Sequence, residues 1–314
     1  MLLSLATLLV IFILITIVWR LIERFWSWLG RGRLIHRITL DEHVDPELQH
    51  AVNELDRWRA EKALYQRGGW RHSRPPRLTR AQRADVARAE RYERERFLDN
   101  LHLGWYQFVL IFFIGSILGL VIEEIWMFIT AGLTQSRVGL VWGPFSPLYG
   151  TGAVILTIVG FYLRRAHATW WQIFLLSVII GGLLEQITGY SMETLFHATS
   201  WSYLHLPDHI TQWVAWRFLV FWGILGLVWT KAIMPDLLYR IGEQNTVRQW
   251  VFITLLSAYL IADIFMTMAC FTRETERARG IPPENGFEQW VDEHYTDEFI
   301  ANRFQNLVID HETS

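Results

Sequence analysis

Residues 105–129 read WYQFVLIFFIGSILGLVIEEIWMFI, twenty-five positions whose only charges are Glu123 and Glu124 near the far end. A stretch this long and apolar is enough to cross a bilayer as a helix. Four more follow, over residues 140–163, 170–190, 214–234 and 250–271. Ahead of them, residues 2–19 form a sixth apolar run. It has no basic stretch before it, Arg20 and Arg24 come after it, and no small-residue cleavage site is evident. It therefore reads as a retained helix rather than a removed leader.

Composition agrees with these runs. The chain is 52% hydrophobic and 15% aromatic with 17 tryptophans, which excludes an ordinary soluble domain. The expected fold is all-α: a polytopic membrane protein with a five-helix transmembrane core and one N-terminal transmembrane helix. Four regions are expected: the N-terminal helix over 1–20, a charged cytoplasmic helical segment over 21–103, the core over 104–272, and an exposed acidic tail over 273–314.

Orientation follows from the basic residues beside the spans, which favour the cytoplasmic side. Residues 20–102 hold 18 Lys/Arg against 13 Asp/Glu and should be cytoplasmic. The 164–169 turn, with Arg164 and Arg165, and the 235–249 loop, with Arg240 and Arg248, fall on the same side. The loop with Arg137 and the 191–213 loop, which has no Lys or Arg, fall outside. The tail falls outside too, although Arg273, Arg277 and Arg279 at its start run against the rule. The protein is thus expected in a cell membrane, its N-terminal third after the first helix being cytoplasmic. There, Asp45-Pro46 marks a helix start, residues 67–77 a basic loop, and 79–100 a charged helix.

The spans hold few ionisable residues: Glu123 and Glu124, Glu185, Arg217 and Asp263, with Lys231 at the end of the fourth, just before the 235–249 loop. Charges in hydrocarbon are costly and are usually paired or face a cavity. Glu123 shares a helix face with Gly115 and Gly119, and Glu185 with Gly181 and Gly189. Small residues at four-residue spacing let helices approach closely, so both glutamates should point into the bundle. Arg217 is the expected counter-ion. Two readings stand: an outward-facing polar cavity that binds a substrate, or a buried ion pair that only fixes packing. Asp263 reads equally as a site residue or a polar contact between helices.

The run Gly143-Pro144-Phe145-Ser146-Pro147-Leu148-Tyr149-Gly150 cannot be regular helix throughout. It reads as a broken-helix start that exposes backbone to a ligand, or as an ordinary proline-initiated helix. The 191–213 loop, with Trp201, Tyr203, His205 and His209, reads as an aromatic lid. Pro207 breaks helical presentation of His205 and His209, so no metal is expected. The single Cys270 excludes an internal disulfide. No G-x-x-x-x-G-K-[ST], G-x-S-x-G or H-E-x-x-H pattern occurs. The chain should not hydrolyse ATP itself; no nucleophile, cofactor or nucleic-acid partner is indicated, and an enzyme is the weakest reading.

Taken in order, Glu123/Glu124, the run Arg137–Gly150, Glu185-Gln186-Ile187-Thr188-Gly189, Trp201-Ser202-Tyr203 and Phe221-Trp222-Gly223 resemble a family of bacterial membrane proteins called putative ABC-transporter type IV, or CmpB-like, over about residues 104–270. The chain departs from the family where W-W-D-Y becomes Ser200-Trp201-Ser202-Tyr203. It departs again where N-x-N-G-R becomes His209–Trp213, the basic residue appearing later as Arg217. The resemblance implies a transport permease subunit with a separate ATPase partner, docking at 235–249 or on the 20–102 segment. Candidate substrate-binding residues are Glu123, Glu185, Arg217, Thr188, Trp201, Tyr203, Pro144, Pro147 and Tyr149. The alternative is a non-transport membrane protein that binds lipid or a protein partner in envelope maintenance.

Overall fold

The structure, a computed structural model, describes residues 2–29, 46–67 and 78–309. Asp45 and the basic loop over 68–77 lie outside the described residues. The chain divides into two compact units, Met1–His102 with Pro235–Asn245, and Leu103–Met234 with Thr246–Ser314.

In the first unit, α1 runs Leu2–Leu29, α2 Pro46–Arg67 and α3 Arg80–Asn100. Thr79 and Gln82 cap α3 reciprocally, satisfying backbone donors that the first turn leaves open. Although α3 is mostly charged, α2 and α3 bury a shared seam of Ala51, Val52, Leu55, Val86 and Ala89, flanked by Trp58 and Leu78. Arg59 pairs with Glu93 at 2.7 Å and Arg88 with Glu47 at 3.1 Å. The 235–245 segment packs here as well. Arg94 pairs with Asp236, and the Phe97 ring meets Tyr239 edge-on at 5.7 Å.

The second unit holds the membrane core. Its helices are α4 (Trp105–Ala131), α5 (Pro147–Arg165), α6 (Trp170–Phe196), α7 (Trp216–Val228) with the π-helical turn that follows it (Trp229–Ile233), and α9 (Val247–Ala278); the chain continues from the turn into α8 (Met234–Ile241), which from Pro235 on belongs to the first unit. Five helical stretches are long and apolar enough to span a membrane: Trp105–Ala131, Pro147–Arg165, Trp170–Phe196, Trp216–Ile241 and Val247–Ala278. The π turn has a local cause. Pro235 supplies no N–H and crowds the carbonyl four residues back, and the wider turn absorbs both, with Met234 N–H reaching Trp229 O. A reciprocal cap of Thr246 with Gln249 starts α9, and at the start of α6 Gln172 accepts from the Thr169 backbone N–H at 2.8 Å.

The second span begins later than the apolar run suggests. Residues 140–146 are not helical, and α5 opens at Pro147, in its first turn, where the missing N–H costs nothing. The Gly143–Gly150 run is therefore a proline-initiated helix preceded by a loop, and that loop is buried at Val138, Leu140 and Val141.

The tail corrects an expectation. Residues 286–309 are folded: many of their side chains stay exposed, but Val291, Ile300 and Phe304 are buried. Helices α10 (Gly286–His294) and α11 (Asp297–Arg303) follow α9, and the two-residue strand β2 (Val308–Ile309) pairs antiparallel with β1 (Ala198–Thr199). Val291, Ile300 and Phe304 bury against Leu120, Val138, Val141, Met266, Cys270 and Phe271. The physical reason is that the arginines breaking the charge rule are consumed internally. Arg273, 2% exposed, bonds Asp292 and Glu276 at 2.6 Å each, and Arg277 bonds Asp292 and Asp297 at 2.5 Å each. At 32 residues α9 is about 48 Å long, well beyond a hydrocarbon core of about 30 Å. Its last turns are what the tail folds upon.

Candidate functional site

Four membrane helices bring polar side chains to one place. On α4, Glu123 accepts a hydrogen bond from Arg137 at 3.1 Å, and the Tyr149 hydroxyl of α5 bonds the same carboxylate. On α6, Glu185 is 6% exposed and accepts from the Trp222 indole N–H of α7 at 2.9 Å. Tyr149 and Trp222 stack, their centroids 6.1 Å apart and the ring planes 25° apart. The two carboxylates are near enough to influence each other electrostatically. Tyr203, from the loop after β1, neighbours Glu185, Glu123 and Arg137, and stacks on Phe218 at 4.5 Å. Burial, then the charges of Glu185 and Glu123, hold its hydroxyl proton well above the usual tyrosine range.

The glycine stripes explain how so much aromatic bulk fits. A Cβ at Gly119 would overlap the Tyr149 ring, and one at Gly181 would overlap Trp222. The rings lie directly on the backbones of α4 and α6, which sets the height at which Tyr149 meets Glu123 and Trp222 meets Glu185. One carboxylate oxygen of Glu185 (Oε2) has no hydrogen-bond partner among the described residues.

The expected pairing of Arg217 with a glutamate is overturned. Arg217 is half exposed and binds Asp208, with Nη2 to Oδ1 at 2.7 Å and Nε to the two carboxylate oxygens at 2.9 and 3.0 Å. Asp208 also accepts the Arg217 backbone N–H at 3.0 Å, tying the loop to the start of α7. These bonds hold the Asp208 carboxyl below its ordinary range. The reason is local: Asp208 lies nine residues away at the helix mouth, while the glutamates lie inside the bundle. Arg137 and Trp222 take the roles that the sequence reading left to Arg217. Both lie in quoted motif stretches, but nothing in linear sequence says that a loop arginine folds over the end of α4, or which way an indole N–H points.

The other candidates take supporting positions. Trp201 donates to Trp213 O at 3.1 Å, and the Trp213 ring lies over Gly189 of α6. Thr188 is half-buried near Glu185 on α6, Pro144 is exposed, and Pro147 packs in the first turn of α5 against Gly139. Asp263, fully buried, holds the non-helical loop in place. It accepts Trp142 N–H at 2.8 Å, Thr267 accepts Val141 N–H at 2.9 Å, and the Tyr259 hydroxyl donates to Trp142 O at 2.5 Å. Arg303 of α11 donates to Leu140 O at 3.0 Å and to Gly143 O. Buried backbone outside regular structure must find such partners. Here α9 and the tail supply them, and the loop that carries Arg137 is thereby fastened at its far end.

A family model described as Putative ABC-transporter type IV matches residues 110–268, which include Glu123, Arg137, Tyr149, Glu185, Tyr203, Trp222 and Asp263. No curated protein and no solved structure matches the chain.

Proposed function

Since the chain belongs to the Putative ABC-transporter type IV family, we propose that it is the permease subunit of a transport system in a bacterial cell membrane, and that its substrate passes the cluster around Glu185. The observation that supports this is the uncommitted Glu185 oxygen, buried and without a donor. A buried acceptor left open is costly unless something binds it. Glu123 is matched by Arg137, so Glu185 supplies the surplus charge, among the rings of Tyr149, Tyr203 and Trp222. One negative charge beside aromatic faces suits a monovalent organic cation, an ammonium group held by ion pairing and cation–π attraction.

In this reading the cluster faces outward, under the aromatic loop with Trp201. Residues 21–103 are cytoplasmic, α1 is a sixth span, and a separate ATPase docks at 235–249. The test is thermal unfolding of the purified protein titrated with tetramethylammonium and with ethanolamine. Either cation should stabilise the wild type and the Arg217→Gln variant and leave Glu185→Gln unmoved. No stabilisation by either would overturn the cation reading.

A second reading, a non-transport membrane protein of envelope maintenance that binds lipid or a protein partner, is favoured by one feature. Asp236 and Tyr239, within the segment an ATPase would need, are already engaged by Arg94 and Phe97. Purification from native membranes in mild detergent, with mass spectrometry, separates the two. An ATPase at near one-to-one ratio supports the permease; a specific envelope lipid without one supports the alternative.

A further inference from the structure

We propose that α10 is a membrane-interface anchor, whose Phe287/Trp290 face beds into the boundary between headgroups and acyl chains beside α9. The proposal is independent of the transport reading.

After α9 the chain reverses through Gly280, Ile281, Pro282 and Pro283, and Asn285 caps α10 by accepting from Phe287 and Glu288 N–H at 3.0 Å each. Its nine residues then divide by direction. Val291 is fully buried, and Asp292 and Glu288 turn toward Arg273, at 2.6 and 3.7 Å. Gln289 and Glu293 bond each other at 3.1 Å on the exposed polar side. Phe287, Trp290 and His294, spaced i, i+3, i+7, form the third face. Phe287 and Trp290 are 41% and 40% exposed, and His294 stacks on Trp290 at 4.9 Å.

Where this face lies decides its partner. The Phe287 ring is 5.6 Å from that of Phe265, which is 58% exposed on α9. Phe265 precedes Phe271, the end of the apolar run, by six residues, or about 9 Å along the helix. Phe287 therefore lies level with residues of α9 that sit inside the apolar run. The face continues the exposed surface of Ile261, Phe265 and Met268, the surface a spanning helix offers to lipid. Tryptophan at the end of a span fits the interfacial belt, and phenylalanine beside it suits the apolar face of an interfacial helix. Of the three acidic side chains of α10, Glu288 and Asp292 turn inward to Arg273, and Glu293 lies with Gln289 on the exposed polar side, away from the Phe287/Trp290 face. A lipid boundary fits this continuity, whereas a soluble partner would have to displace lipid from α9 to reach it.

The experiment uses the full chain in nanodiscs of phosphatidylcholine and phosphatidylglycerol. Cys270, the one cysteine, is buried, so the wild type provides the unlabelled background. Nitroxide labels are placed at Trp290→Cys, Phe287→Cys and Gln289→Cys in separate proteins. Collision with oxygen is compared with collision with a water-soluble nickel chelate. The labels at 290 and 287 should show an oxygen-to-nickel ratio several-fold above that at 289. Equal, water-like ratios at all three would overturn the proposal. So would shielding of 290 and 287 from both reagents, which would mean that protein covers the face. If one aromatic variant fails to fold, the other gives the same reading.

Discussion

Removing the Asp263 carboxylate should release the loop that precedes α5. Asp263 is fully buried and accepts Trp142 N–H at 2.8 Å. In Asp263→Ala that amide loses its acceptor in a stretch with no helical carbonyl to replace it. A hydrogen bond to a charged group contributes about 1.5–3 kcal/mol, and a buried donor left unsatisfied costs about 1–3 kcal/mol. Because the two describe the same loss from either side, the expected destabilisation is about 3 kcal/mol. Side-chain bonds between membrane helices average only about 0.6 kcal/mol, since the dissociated helices find other partners. A backbone amide of a non-helical loop has no such alternative, so the larger figure governs. Asp263→Asn keeps an acceptor and should cost about 1 kcal/mol. Thr267→Val, which frees Val141 N–H, should fall between. The assay is reversible unfolding of the purified protein in mixed micelles, with hydrogen exchange at residues 138–146 as the local readout. If Asp263→Ala cost under about 0.5 kcal/mol and loop exchange were unchanged, the argument that α9 holds this loop would be wrong.

Gly181→Ala should cost about 1–3 kcal/mol by overpacking and lower the cation response of the protein, because the added methyl displaces Trp222 from Glu185. Arg137→Met alone should destabilise by about 3 kcal/mol by stranding Glu123, and the double change Glu123→Leu/Arg137→Met should recover most of that. Arg217→Gln, at a half-exposed pair, should leave the melting temperature nearly unchanged. Acidification tests the tail. Hydrogen bonding from Arg273 depresses the Asp292 carboxyl, so its contribution is fully present above the unfolded value of about 3.9 and is lost as pH falls through the folded one. The protection of the α10 amides, with the intrinsic pH dependence of exchange divided out, should show a step of loss below about pH 4, and Asp292→Asn should abolish that step.

Much of the architecture could be read in advance. Five apolar runs become five span-length helices, and the glycine stripes at 115/119 and 181/189 do mark where neighbouring side chains press on the helix backbone. Glu123 and Glu185 do turn into one cluster, because a period of 3.6 residues places each on the same face as its glycines. These features are local: span length, helical phase and small-residue spacing are properties of a single segment.

Which groups meet is a different matter. Arg217 was the obvious counter-ion by composition, yet it binds Asp208, and Glu123 is served by an arginine fourteen residues downstream in a loop. The acidic tail looked solvated because its charges were counted rather than paired. Its arginines and carboxylates neutralise one another across a chain reversal, and this allows Val291, Ile300 and Phe304 to bury. Asp263 looked like a site or a helix contact and is a clamp on loop backbone 121 residues away. The amino-acid sequence by itself determined the span-length helices and which face of α4 and of α6 carries its glycines and its glutamate. Tertiary structure alone decided the partners, because a buried ionic or backbone group is satisfied by whatever donor the folded chain brings within about 3 Å, and that distance is set by packing between segments far apart in sequence.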